Sequence, residues 1–359
     1  PGVGVADFPN QDLKWESTKQ TNIGFDLTLF NGRLDISADV YDKYTRDLLV
    51  QISIPQYTGK ESYLTNMGKM QNRGLELKLN SFLINTGDLR WETSLSFSTN
   101  KNTVLEVNDP AKDNEYIFGV TPGGTGIGIG PGFILQEGKQ MGQFWGLIYD
   151  GVWKTSEATE AALYGNKPGD AKYKDMDGNK KYDDFAVIGH ALPDFTGGFY
   201  NKFSWKNLSL EFLFQGSHGN DVWNFTRYFM IAGGSNVKNP TSKDIFNRWS
   251  PGNEYSSIPA YSNTSVTQIQ SSMFVEDGSF LRLKNLSLGY NLPEAFCKKM
   301  KLQSVYIYAN GQNLLSFTKY SGYDPEVSST NVSDDTNFGI DNGAYPNPKV
   351  YTIGIKMDF

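Results

Sequence analysis

Apolar and polar residues alternate with a period of two along most of the chain. Ile23, Phe25, Leu27 and Leu29 are set against Gly24, Asp26 and Thr28, and Leu34, Ile36, Ala38 and Val40 against Asp35, Ser37 and Asp39. Further on, Leu75, Leu77 and Leu79 alternate with Glu76, Lys78 and Asn80, and Leu89, Trp91, Leu95 and Phe97 with Arg90, Glu92, Ser94 and Ser96. Successive side chains of a strand point to opposite faces, so these segments are strands with one apolar and one polar face. The last of them, Tyr351, Ile353, Ile355, Met357 and Phe359 against Thr352, Gly354, Lys356 and Asp358, ends on an aromatic residue. The pattern predicts about eleven strands, near 16–30, 33–49, 67–84, 88–103, 126–136, 140–154, 194–205, 208–217, 278–292, 301–314 and 347–359. The stretch from Gly126 to Gly132 is a poor strand former, and the order of connections is what places a strand there.

The connections alternate between short and long. Asn31-Gly32, Asn85 to Asp88, Glu137 to Lys139, Lys206-Asn207 and Pro293 to Met300 are short, whereas 50–66, 104–125, 155–193, 218–277 and 315–346 are long. Membrane barrels sort their loops in this way, with short periplasmic turns and long outer loops. An odd strand count puts the two chain ends on opposite sides, so the expectation is a C-terminal half of a larger antiparallel transmembrane β-barrel. Eleven strands would be half of a barrel of about 22, the class with a plugged lumen. The expected membrane contact is lipid against the apolar face.

Composition narrows the choice. A mean hydropathy of −0.45 and the lack of any apolar run near the roughly 18 residues that a spanning helix needs exclude a helical membrane protein. Net charge is −6 with no basic cluster of the kind phosphate backbones require, so nucleic acid is not an expected partner. The single Cys297 permits no intramolecular disulfide.

Several segments carry a resemblance that runs through nearly the whole chain. They are Leu13-Lys14-Trp15-Glu16, Gly68 through Asn72-Arg73-Gly74-Leu75-Glu76, Gly142-Gln143-Phe144-Trp145-Gly146 and Tyr149-Asp150-Gly151. Pro168-Gly169-Asp170, Asp175 to Asn179, Ile188-Gly189 and Pro193 to Gly198 follow. The last are Gly278 to Asn285, Gly311-Gln312-Asn313-Leu314 and Gly322-Tyr323-Asp324-Pro325-Glu326. In order and spacing they resemble the SusC/RagA-like TonB-linked outer-membrane proteins. That resemblance implies a plugged barrel importing oligosaccharides or peptides, energised through TonB, with substrate first held by a SusD-like surface lipoprotein. It also implies that the plug, the TonB-contacting segment and the upstream barrel half lie outside these residues, so that this chain alone should not transport.

Two candidate sites stand out. Asp175, Asp177 and Asn179 have the 1, 3, 5 spacing of oxygen ligands in a calcium loop, with Tyr182 or Asp183 near enough to join them. Lys180 stands where such a loop wants glycine and Ala186 where it wants a bidentate glutamate, so calcium (Ca2+) and a solvated acidic turn both remain open. The long segment from His218 to Ser272 gathers Trp223, Phe225, Tyr228, Phe229, Trp249, Tyr255 and Tyr261. Those rings are suited to stacking on a sugar, to meeting a partner or to forming the loop's own small core. Phe144, Trp145, Tyr149 and Trp153 are read as strand aromatics of the membrane-interface girdle.

No catalytic constellation emerges, so the chain is not expected to be an enzyme. There are two histidines, His190 and His218, and Ser217-His218 are strand neighbours that face opposite sides. The competing reading is a soluble or surface-exposed all-β carbohydrate-binding protein. The two differ in whether the apolar faces are buried in a protein core or left facing outward.

Overall fold

The computed structural model describes residues 10–53, 62–66, 68–109, 112–113, 115–120, 129–231, 242–261, 270–327 and 339–359. Its principal feature is one nine-stranded antiparallel sheet. The strands are β1 (Ser17–Leu29), β2 (Leu34–Arg46), β3 (Lys69–Asn85), β4 (Leu89–Glu106), β5 (Phe195–Trp205), β6 (Leu208–His218), β7 (Phe280–Asn291), β8 (Ser304–Thr318) and β9 (Val350–Asp358). They lie in the sheet in chain order, each paired with its sequence neighbour. β1 and β9 form the two edges, so the sheet does not close on itself.

Register turns the sequence alternation into two continuous surfaces. Ile23 pairs with Val40 and Val40 with Leu75, Leu95 with Phe199 and Phe199 with Phe214, and Ile307 with Ile355. Apolar residues from all nine strands therefore share one face, with Leu213 and Phe280 as exceptions on the other. No second sheet among the described residues covers it: Ile23, Phe25, Val40, Phe199, Leu288, Leu315 and Ile353 are all exposed. The opposite face carries Asp26, Asp39, Glu76, Lys78, Glu92, Lys202 and Glu211, tied by contacts such as Lys202 Nζ to Glu211 Oε1 at 2.6 Å. A soluble sandwich would bury its apolar face against another sheet, so the uncovered face rules out that architecture among the described residues.

The expected count of eleven wall strands is corrected to nine. The segments expected at 126–136 and 140–154 are not wall strands; β4 pairs directly with β5 instead. Residues 126–128 lie outside the described residues. Ile129–Gln136 and Gln143–Leu147 pair with each other, with Glu115–Val120 and with Phe185–His190 in a separate four-stranded sheet. The reason is legible in hindsight: Phe144, Trp145, Gly146 and Leu147 are consecutive residues that are buried or half-buried on both faces, which is incompatible with a lipid side and a water side. Because two strands leave the wall together, the count stays odd and the loop sorting survives.

Short turns join β1 to β2, β3 to β4, β5 to β6 and β7 to β8 at one end. In the first, Phe30, Asn31 and Gly32 all take positive φ (54°, 57° and 81°), the left-handed geometry that Asn-Gly supports. The long connections 47–68, 107–194, 219–279 and 319–349 gather at the other end. On the polar face, Tyr41 lies flat across Gly74 of its paired strand, where an added Cβ would be 2.3 Å from the ring.

Candidate functional site: the outer-loop assembly

Described parts of the connections 107–194, 219–279 and 319–349 pack into one assembly. Asp221–Asn224 pairs antiparallel with Val275–Asp277 and parallel with Ile340–Asp341, joining the third and fourth long connections. Helix α1 (Ala158–Leu163) lies in the connection between β4 and β5, and α2 (Phe225–Ile231) follows Asn224. Phe133, Phe144, Trp223, Phe225, Ile231, Met273, Phe274 and Ile340 form the core beneath them. The Phe144 and Trp223 rings are 5.4 Å apart, and Trp223 meets Phe225 edge-on at 5.3 Å.

This placement corrects the girdle reading of Phe144, Trp145, Tyr149 and Trp153. Phe144 and Trp153 are fully buried in the assembly. The Tyr149 hydroxyl donates to the Ser257 carbonyl at 2.7 Å, and burial raises its pKa well above the ordinary tyrosine value. Trp153 donates to Tyr182 Oη at 2.9 Å with the Lys172 ammonium 4.3 Å from its ring. They hold loops together rather than meeting lipid.

The six aromatic candidates divide by environment. Trp223 is fully buried, and Tyr228 and Phe229 pack against the same core, with Tyr228 perpendicular to Phe274 at 5.3 Å. Trp249 is half-buried, pressed on Gly169, whose φ of 95° and lack of a side chain allow the approach. Tyr255 and Tyr261 are 91% and 63% exposed. Each carries a cation over its ring, Lys154 at 5.4 Å and Arg248 at 5.6 Å. Phe246, which the sequence reading passed over, is 84% exposed on the turn Lys243–Asn247. So 242–261 presents Phe246, Tyr255 and Tyr261 to solvent.

The assembly is braced by charges with little access to water. Arg282 of β7 binds Asp324 at 2.5 Å and Glu326 at 2.6 Å, and Asp324 also accepts from the backbone and side chain of Asn347 at 3.0 Å. Burial pushes the Asp324 carboxyl up, but the Arg282 hydrogen bond and the Glu326 and Asn347 amides outweigh it, leaving the pKa below its ordinary value. Arg227 donates to the Met273 carbonyl at 2.9 Å and approaches Glu276 at 3.4 Å. Asp221 accepts the His190 amide at 2.9 Å; its burial outweighs that bond and raises its pKa. Sequence reasoning had both ends of the Arg282 contact, in Gly278 to Asn285 and in Gly322 to Glu326, but nothing local pairs them.

The acidic turn closes on itself. Asp175 accepts from the backbone amides of Gly178 at 2.7 Å and Lys180 at 3.0 Å and from the Tyr164 hydroxyl at 2.8 Å. Lys180 takes a φ of 65°, the conformation for which a glycine is preferred. Oxygens of Asp175, Asp177 and Asp184 lie within 4.8 Å of one another. Asp183 instead accepts from Asn179 at 3.1 Å, and Asn179 also donates to Asp177. Carboxylate and amide oxygens of this kind suit a hard cation, yet Asp175 is already satisfied by three donors.

On the polar side of the wall, a hollow of about 820 Å3 is lined by Asp39, Glu76, Lys78 and Gln215 together with the apolar Leu213 and Phe280. Mixed charge and hydroxyls give this surface both donors and acceptors for a polar solute.

Comparison with known proteins places this geometry. The family described as TonB dependent receptor-like, beta-barrel, matches residues 1–314. TonB-dependent receptor P3 of Formosa agariphila is 40% identical across all of this chain, and TonB-dependent receptor SusC of Bacteroides thetaiotaomicron is 28% identical across 98% of it. The chain spans 36% and 32% of their lengths. The solved structure of the RagAB peptide transporter matches all of this chain with a TM-score of 0.80 and 28% identity, over 37% of its own chain.

Proposed function

Because this chain belongs to the TonB dependent receptor-like β-barrel family, whose members are integral outer-membrane barrels, we propose that it is the wall and outer-loop portion of a SusC-like importer. The whole protein takes up oligosaccharides or peptides, energised through TonB, in a Gram-negative outer membrane. One observation carries this reading: a largely uncovered apolar face stands back to back with a polar face, and the long connections all leave the wall at one end. Lipid belongs against the first face and a water-filled path against the second. Among the described residues the edges β1 and β9 each leave a row of unpaired backbone groups that a membrane does not tolerate, so in this reading further strands complete the barrel.

Phe246, Tyr255 and Tyr261 face outward beside Lys154 and Arg248, and in this reading they meet the substrate or a SusD-like lipoprotein. Trp223, Tyr228 and Phe229 support that surface from below. The test uses the full-length protein. Deleting it should abolish growth on one oligosaccharide or peptide class while leaving growth on small sugars and amino acids intact, and re-expression should restore it. A full-length protein that runs as a water-soluble species, with no heat-shifted gel mobility, would overturn the importer reading.

A further inference from the structure

The turn between β7 and β8 is unlike the other three. Those at 30–33, 86–88 and 206–207 are tight reversals, whereas 292–303 holds the helix α3 (Glu294–Lys299). The helix ends in a left-handed cap: Lys301 has φ 59°, and Leu302 N–H returns to the Cys297 carbonyl at 3.0 Å.

The side of the wall on which α3 lies follows from burial. Val305 of β8 belongs to the apolar face by parity with Ile307, yet it is 4% exposed while Ile307 is open. Helix α3 packs on β8, and Cys297 at its centre is also buried. The helix therefore covers the apolar, lipid-side surface at the short-turn end of the barrel wall.

Its remaining faces are divided. Phe296 and Met300, four residues apart on one flank, are 51% and 44% exposed. Glu294 and Lys298 pair on the other flank at 2.5 Å. Lys299 and Lys301 have no carboxylate partner among the described residues, and the Asp358 carboxylate accepts from the Ser304 hydroxyl. Three lysines stand against one glutamate within eight residues, in a chain whose net charge is −6.

We propose that this turn is an interfacial anchor. Phe296 and Met300 seat in the acyl boundary, and Lys299 and Lys301 bind the phosphate of an anionic phospholipid in the periplasmic leaflet. An exposed apolar flank beside unpaired ammonium groups is the pattern of a helix lying in the headgroup plane. The anchor rests on the membrane reading above, which heat-shifted mobility tests separately.

The experiment uses the full-length transporter, extracted in detergent and incubated with phosphatidylglycerol or phosphatidylethanolamine of matched chains, with bound lipid counted by native mass spectrometry. Wild type should retain phosphatidylglycerol preferentially and release it at high salt. K299E/K301E, which removes the two unpaired lysines and leaves the Glu294–Lys298 pair intact, should cut its retention at least tenfold. The phosphatidylethanolamine count should not change in that variant, whereas F296S/M300S should weaken both lipids alike. Unchanged phosphatidylglycerol retention in the double lysine variant would overturn the anchor, as would loss only of a co-purifying periplasmic protein. If the double lysine variant shows no heat-shifted mobility, the wild-type salt response decides: retention insensitive to salt overturns it.

Discussion

Arg282 and Asp324, 42 residues apart, meet at 2.5 Å with both side chains almost wholly withdrawn from solvent. Removing one partner of a buried pair leaves the other charge without compensation, typically about 3–5 kcal/mol. Arg282→Met should therefore loosen residues 319–327, read as faster hydrogen exchange there in the full-length protein.

The same contact sets a pH dependence. The Asp324 carboxyl titrates below its ordinary value, so its contribution is complete above the unfolded-state pKa of about 4 and is lost as pH falls through the lower folded value. Protection of 319–327 in wild type should hold from neutral pH down to about 4 and fail below it. In Arg282→Met the buried Asp324 carboxylate loses its cation and its pKa rises. Protection should then improve as pH falls from neutrality, the opposite slope, and parallel slopes in the two proteins would refute this account.

Burial separates two aromatic residues that look alike in sequence. Trp223→Ala empties the centre of the outer-loop core and should cost about 3–5 kcal/mol of local stability. Tyr255→Ala touches an exposed ring and should change stability by no more than about 0.5 kcal/mol. Measured uptake should fall in both variants, whereas protease resistance of the loops should fall only for Trp223→Ala.

The acidic turn is held by hydrogen bonds to Asp175. Asp175→Ala should expose 175–184 to limited proteolysis, because the Gly178 and Lys180 amides and the Tyr164 hydroxyl lose their shared acceptor. Since three donors already satisfy Asp175, adding calcium or a chelator to wild type should leave the cleavage rate at this turn unchanged. A calcium-dependent slowing would instead establish a cation at Asp175, Asp177 and Asp184.

On the polar face, Gly74→Val should drive Tyr41 off its paired strand, because a Cβ at residue 74 would sit 2.3 Å from the ring. Overpacking of this kind costs about 1–3 kcal/mol, and the displaced ring should narrow the path and reduce uptake. Gly87→Ala, with nothing within 4 Å, is the control expected to leave both stability and uptake as in wild type.

The alternation of single residues determined the strands of the wall, their two faces and the sorting of short and long connections, because period-two patterning and turn chemistry are local properties. Residues such as Ile23, Val40 and Leu75 needed no partner to reveal which face they occupy. Tertiary structure alone decided which strands join the wall. Gln143–Leu147 has strand character, but with both faces buried it pairs into the loop assembly instead, leaving nine strands where eleven were expected. It alone also sorted the aromatic residues: Trp223 lies under the loops while Tyr255 lies on them, although the two are only 32 positions apart. The substitution of Asp184 for Asp183 in the acidic cluster and the meeting of Arg282 with Asp324 belong to the same class. Burial and ion pairing depend on residues brought together from distant parts of the chain, and no local pattern records which of them will meet.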